Sequence, residues 1–172
     1  LNIGANATVR LGHASTATGS LVVSGSTSDI SGGTGSALYV GGNGLGSLNV
    51  RQGADVQVES ATIGLSTSGT GTATVRNNGS QLLVSETLTV GQSGQGTLTI
   101  QNGATVNAKN LNIGRDLDSL GQVTLSGQNS SLNVTQNAVV GGALASDGGA
   151  GTLTINAGTT ANVGGQLTIW SQ

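Results

Sequence analysis

The stretch Leu88-Thr89-Val90-Gly91-Gln92-Ser93-Gly94-Gln95-Gly96-Thr97-Leu98-Thr99-Ile100-Gln101-Asn102-Gly103-Ala104-Thr105-Val106 decides the fold. It contains two short runs in which apolar and polar residues alternate, Leu88-Thr89-Val90 and Leu98-Thr99-Ile100, and opens a third at Val106. Alternation of period two places the flanking apolar residues on one face of a strand and the middle residue on the other. Glycine and Asn-Gly separate the runs, and both tolerate the left-handed backbone that a tight corner needs.

Outward from this stretch the pattern repeats along the chain. The second run recurs as Ser20-Leu21-Val22-Val23, Ser47-Leu48-Asn49-Val50, Thr72-Ala73-Thr74-Val75, Gln122-Val123-Thr124-Leu125 and Thr152-Leu153-Thr154-Ile155. Its interval is about 25 residues, lengthening to about 30 before the last copy. The glycine-ended run recurs as Leu38-Tyr39-Val40-Gly41, Ala61-Thr62-Ile63-Gly64, Leu111-Asn112-Ile113-Gly114 and Ala138-Val139-Val140-Gly141. Val9-Arg10-Leu11-Gly12 fits the same slot, as does Leu167-Thr168-Ile169, with Trp170 in place of the glycine. Between the two lies a third run: Val56-Gln57-Val58, Leu82-Leu83-Val84, Val106-Asn107-Ala108, Leu132-Asn133-Val134 and Ala161-Asn162-Val163.

Three short strands per repeat predict one coil of a triangular solenoid. A single coil cannot bury its apolar face alone, so stacking on its neighbours drives folding. The expected fold is therefore all-β, a parallel β-helix of about seven coils, in one domain spanning residues 1–172. A sandwich or barrel needs antiparallel hairpins, which a period this long does not supply. The interior is assigned to alternate residues of the second run, from Leu21 and Val23 through Leu98 and Ile100 to Leu153 and Ile155. Ile63, Leu88, Val90, Leu111, Ile113, Val140, Leu167 and Ile169 fill it from the glycine-ended run. Stacked Asn and Thr residues are expected to form side-chain ladders. The longer connections, Gly41 to Ser47, Gly64 to Thr72 and Gly141 to Thr152, are expected as surface loops tolerant of length changes.

Composition agrees with a solenoid and narrows the function. Of 172 residues 31 are glycine; there is no proline, cysteine, methionine or phenylalanine, and one tryptophan and one tyrosine. Charged residues make up 7% and hydrophobic ones 35%, almost all small aliphatics, so a core forms without aromatic anchors. Five basic and seven acidic residues are scattered singly, with no basic patch and too few aromatics for nucleic-acid binding. No apolar run reaches the length of a membrane helix, no signal peptide is visible, and no disulfide framework is possible. Because Leu1 already begins in strand-like sequence, the chain reads as a processed product or an excerpt.

The runs Leu88 to Val106 and Leu38 to Val58 resemble the repeat of bacterial autotransporter passenger domains, and the likeness extends over nearly the whole chain. Residues 1–20 and 141–152 fit it least, and the family's translocator barrel has no counterpart here. The resemblance implies a right-handed β-helix exported to the cell surface, typically in adhesins and biofilm proteins. It leads to the expectation of an extracellular structural and adhesive module that binds a host or abiotic surface, a glycan or sister molecules.

Candidate sites are sparse, and no cofactor or metal is called for. His13 is the one histidine, and reads as a solvated loop residue. Asp29, Asp55, Glu59, Glu86 and Asp147 are expected in different places, so the chain is not expected to be an enzyme. Arg115, Asp116 and Asp118 form the densest charge cluster, short of the six to eight oxygens of a calcium site. Sequons at Asn6, Asn78, Asn129 and Asn133 are expected by chance in a chain so rich in Asn, Ser and Thr. The outward threonines Thr72, Thr74, Thr97, Thr99, Thr124, Thr152 and Thr154 form the candidate surface, a rank of hydroxyls interrupted at Val22, Asn49 and Gln122. Such an array admits an ice-binding reading, although β-branched residues suit strands in any case. No capping helix or charged terminal coil is seen, so the ends admit a filament subunit stacking end to end.

Overall fold

A computed structural model describes residues 1–170; the two last positions of the 1–172 domain lie outside the described residues. The chain winds through three faces in repeating order. The first face is a six-stranded sheet of Thr18–Ser24, Leu45–Arg51, Thr70–Arg76, Gln95–Gln101, Leu120–Ser126 and Ala150–Ile155. The second begins with Asn2–Ile3, Asp29–Gly32 and Asp55–Val58 and ends with Ser131–Val134 and Thr160–Val163. The third begins with Thr8–Leu11, Ala37–Val40 and Ser60–Ile63 and ends with Ala138–Val140 and Leu167–Ile169. In the two middle turns a single long strand, Gln81–Val90 or Thr105–Ile113, serves both the second and third faces.

Every pairing between successive turns is parallel, and register is kept, for example Leu98 with Ala73 and Val123, and Ile100 with Val75 and Leu125, except for one bulge between Val84 and Thr87. The fold is thus a β-solenoid: six full turns and a part turn before the first. This is close to the expected seven coils; the part turn has no strand in the first face.

The core runs down the axis. Leu48, Ile63, Leu82, Leu88, Leu98, Ile100, Leu111, Ile113, Leu125 and Leu132 are all almost fully buried. Each such side chain contributes about 1.5–3 kcal/mol when removed from water. The interior assignment fails in the last turn. Ile155, Leu167 and Ile169 are 51%, 49% and 69% exposed, and Leu153, like Leu21 near the other end, is only partly buried. Their side chains point inward, but no further described turn stacks on the last one to cover them.

The connections from third to first face are not free loops. Ser66 Oγ donates to Gly42 O at 2.7 Å, Ser68 Oγ donates to Asn43 O at 2.7 Å, and Gln92 N donates to Gly64 O at 2.9 Å. Each connection therefore stacks on the one before, as a strand does. The exception follows Gly141, where Gly142–Ala143 and Ser146–Asp147 pair as a small antiparallel hairpin.

Corners between the first and second faces carry the expected left-handed residues, with Gly53, Gly79, Gly103 and Gly158 at φ of 79° to 83°. Beside them Gln52 and Asn102 also have positive φ; in the Asn77-Asn78-Gly79 corner it is Asn77, not Asn78, that does.

Candidate functional site

The threonines selected from sequence come together on the outer side of the first face. Thr74, Thr99, Thr124 and Thr154 stand in register on successive strands. Thr72 and Thr97 form a second rank beside them, which Gln122 interrupts before Thr152. All are half-buried or exposed, and none of their hydroxyls hydrogen-bonds within the described residues. The expected threonine ladder is therefore absent here; the hydroxyls face outward. Toward the first turn Asn49 and Val22 continue the inner rank, so hydroxyls cover four turns of the face. At the edge of this face Arg51 and Arg76 are also in register, each with its Nε buried and unbonded.

Side-chain ladders form instead on the second face. Asn133 Nδ2 donates to Asn107 Oδ1 at 3.0 Å, and Asn162 Nδ2 donates to Asn133 Oδ1 at 2.8 Å. Thr105 and Ser131 hydroxyls bond at 3.1 Å next to them.

The third face holds a groove of about 490 Å³ that the sequence reading missed. Its floor is the middle-residue rank Thr62, Thr89, Asn112 and Val139, paired strand to strand. A parallel ledge is made by Ser60, Thr87, Asn110 and Asn137. Arg115 and the hairpin residues Ala143 and Leu144 complete the lining. Period two had put the middle residues on the outside, and so they are. Yet Thr62 and Thr89 are only 7% and 4% exposed, and neither hydroxyl has a hydrogen-bond partner among the described residues. The missed signal was Trp170 in a glycine slot together with the long interval before Thr152. Trp170 Nε1 donates to Ala143 O at 3.0 Å and braces the inserted hairpin beside the groove.

The remaining candidates separate. His13 is exposed. The acids do not all fall apart as expected: Asp29 pairs with Asp55 across adjacent strands of the second face. Glu59 and Glu86 meet at the corner between second and third faces, where Glu86 N donates to Glu59 O at 2.8 Å and Lys109 Nζ lies 2.7 Å from Glu86 Oε2. Parallel stacking brings residues one turn apart within a strand spacing, which separation along the sequence conceals. Asp116 Oδ2 accepts from Ser93 Oγ at 2.6 Å, and its Oδ1 lies 3.8 Å from Arg115 Nε. No group of three or more His, Cys, Asp or Glu side chains is placed to hold a metal ion among the described residues. Of the sequon asparagines, Asn6, Asn78 and Asn129 are exposed, and Asn133 is tied into the ladder.

Fold and faces together define a β-solenoid, a repeat protein of stacked parallel turns. The chain matches no protein-family model, no curated protein and no solved structure.

Proposed function

We propose that this chain is a rigid, non-catalytic rod from a bacterial surface or secreted protein, working outside the cell. It adheres through its lateral faces to a surface, a glycan or sister molecules. One observation carries the reading: short hydroxyl and amide side chains repeat in register on the first and third faces, with their hydroxyls and amide donors unspent among the described residues. Weak polar contacts at a fixed spacing add up along a rod that does not have to be ordered on binding. The likeness of the Leu88 to Val106 repeat to autotransporter passengers supports export and adhesion. Beads coated with the chain are expected to adhere to polysaccharide-coated glass well above albumin-coated beads under flow. Equal retention would end the adhesive reading.

A second reading takes the first face alone. Thr74, Thr99, Thr124 and Thr154 form an unbroken rank at a strand spacing of about 4.8 Å, which favours an ice-binding surface. Thermal hysteresis and faceted ice crystals are its expected outcome, and their absence disposes of it. A third takes the terminal turns. Stacking the part turn of a second copy, Asn2–Ile3 and Thr8–Leu11, on Thr160–Val163 and Leu167–Ile169 would continue the second and third faces into a filament. Sedimentation velocity reads this out as concentration-dependent oligomers, and a single species at all concentrations opposes it.

A further inference from the structure

We infer that the third-face groove is a binding site for an extended, uncharged polysaccharide strand lying along the rod axis. The inference rests on the adhesive reading and gives that reading a site and a ligand class.

Four features of the groove lead to this ligand. First, Thr62 and Thr89 are more than nine-tenths buried, line the groove and have hydroxyls without a partner among the described residues. Neither hydroxyl oxygen is itself sealed from solvent, so a ligand entering the groove can reach and bond to both. Second, the ledge amides are half-committed. Asn110 Oδ1 accepts from Asn137 N and Asn137 Oδ1 accepts from Gln166 N, which leaves both Nδ2 groups to donate elsewhere. Threonine hydroxyls and asparagine amides both donate and accept, as sugar hydroxyls require.

Third, the lining repeats. The ranks through Thr62, Thr89, Asn112 and Val139 advance by one strand spacing, about 4.8 Å, at each step. That is close to the rise of one sugar in an extended β-1,4-linked chain, so successive sugars meet successive turns. Val139, Ala143 and Leu144 offer the apolar surface that a pyranose C–H face needs. Fourth, the charge is balanced. Among the described residues Arg115 is the only ionised side chain lining the groove, and Asp116 Oδ1 stands 3.8 Å from its Nε. An anionic chain would gain little here, which favours a neutral one.

Trp170 is the only tryptophan and braces the groove-side hairpin, so its emission reports on the site. The test is titration of the whole chain with cellohexaose and, as a control of different shape, the curved α-linked maltohexaose. A saturable change in Trp170 emission with cellohexaose, and none with maltohexaose, is expected. Calorimetry should show Thr89→Val weakening binding about tenfold, the equivalent of one hydrogen bond lost, while Thr99→Val on the first face leaves it unchanged. Valine keeps the β-branched shape, and equal melting temperatures for both variants would verify that the fold is retained. No saturable binding at millimolar cellohexaose, or equal weakening by both substitutions, overturns the inference. The two failures are separable: bead adhesion that persists without oligosaccharide binding removes the groove and leaves the adhesive reading standing.

Discussion

Gly96 shows how much of this fold is decided by single atoms. It points inward on the first face, in a row with Gly46, Gly71 and Gly121 on neighbouring strands. A Cβ there would lie 2.2 Å from Ile63 O and 2.3 Å from Gly91 N, both backbone atoms of the corner it packs against. Gly91 itself sits at a φ of 73°, where the chain turns from the third face to the first. Backbone cannot yield as a side chain can, so Gly96→Ala is expected to cost about 2–4 kcal/mol. Urea unfolding measures this, and a loss below about 1 kcal/mol would show that the corner relaxes easily. The glycine-ended runs were plain in the sequence. The inward row was not, because its glycines lie against backbone of the preceding corner and of the neighbouring turn, which alternation along a strand does not report.

At the scale of elements, the second face is held by more than its backbone pairing. Asn133 gives one hydrogen bond and receives another, linking three strands through side chains alone. Asn133→Ala removes both, with partial recovery through solvent because Asn133 is only half-buried. The expected loss is about 1–2 kcal/mol, seen as a lower urea midpoint with an unchanged slope. An unaltered midpoint would mean that the ladder adds nothing to the strand pairing. The first face has no such ladder, although sequence alone favours one there equally: its threonines bond to nothing within the described residues. An asparagine amide carries a donor and an acceptor on a longer side chain and so extends a ladder strand after strand, whereas hydroxyls bridge strands only at the single Thr105–Ser131 pair.

At the scale of the whole molecule, each turn rests only on its neighbours, so the solenoid accepts loss of an entire repeat. Gln95 pairs with both Thr70 and Leu120, hence deletion of residues 95–119 sets Leu120 where Gln95 had been and preserves register. The shortened chain is expected to keep its β-type circular dichroism and a cooperative melt. Deletion of residues 95–107, about half a turn, places the third-face segment Leu111–Ile113 against the first-face strand Thr70–Arg76 and should abolish both. If the two deletions behave alike, register between turns is not what holds the fold. The whole-turn deletion also removes Asn110 and Asn112 from the groove, so fold and groove are tested apart by the same chain.

The sequence by itself determined the repeat, the three strands per turn, the inward and outward assignments and the threonine face. All of these follow from short-range alternation and recurring glycines. Only the tertiary structure decided which residues from different turns meet. It paired Asp29 with Asp55 and Glu86 with Lys109, and it bonded asparagines but not first-face threonines. It also raised the Gly142–Asp147 hairpin, held by Trp170, beside a groove whose floor carries the largely buried Thr62 and Thr89. Burial of an outward residue depends on what the rest of the fold packs beside it. Periodicity within a strand carries no record of that.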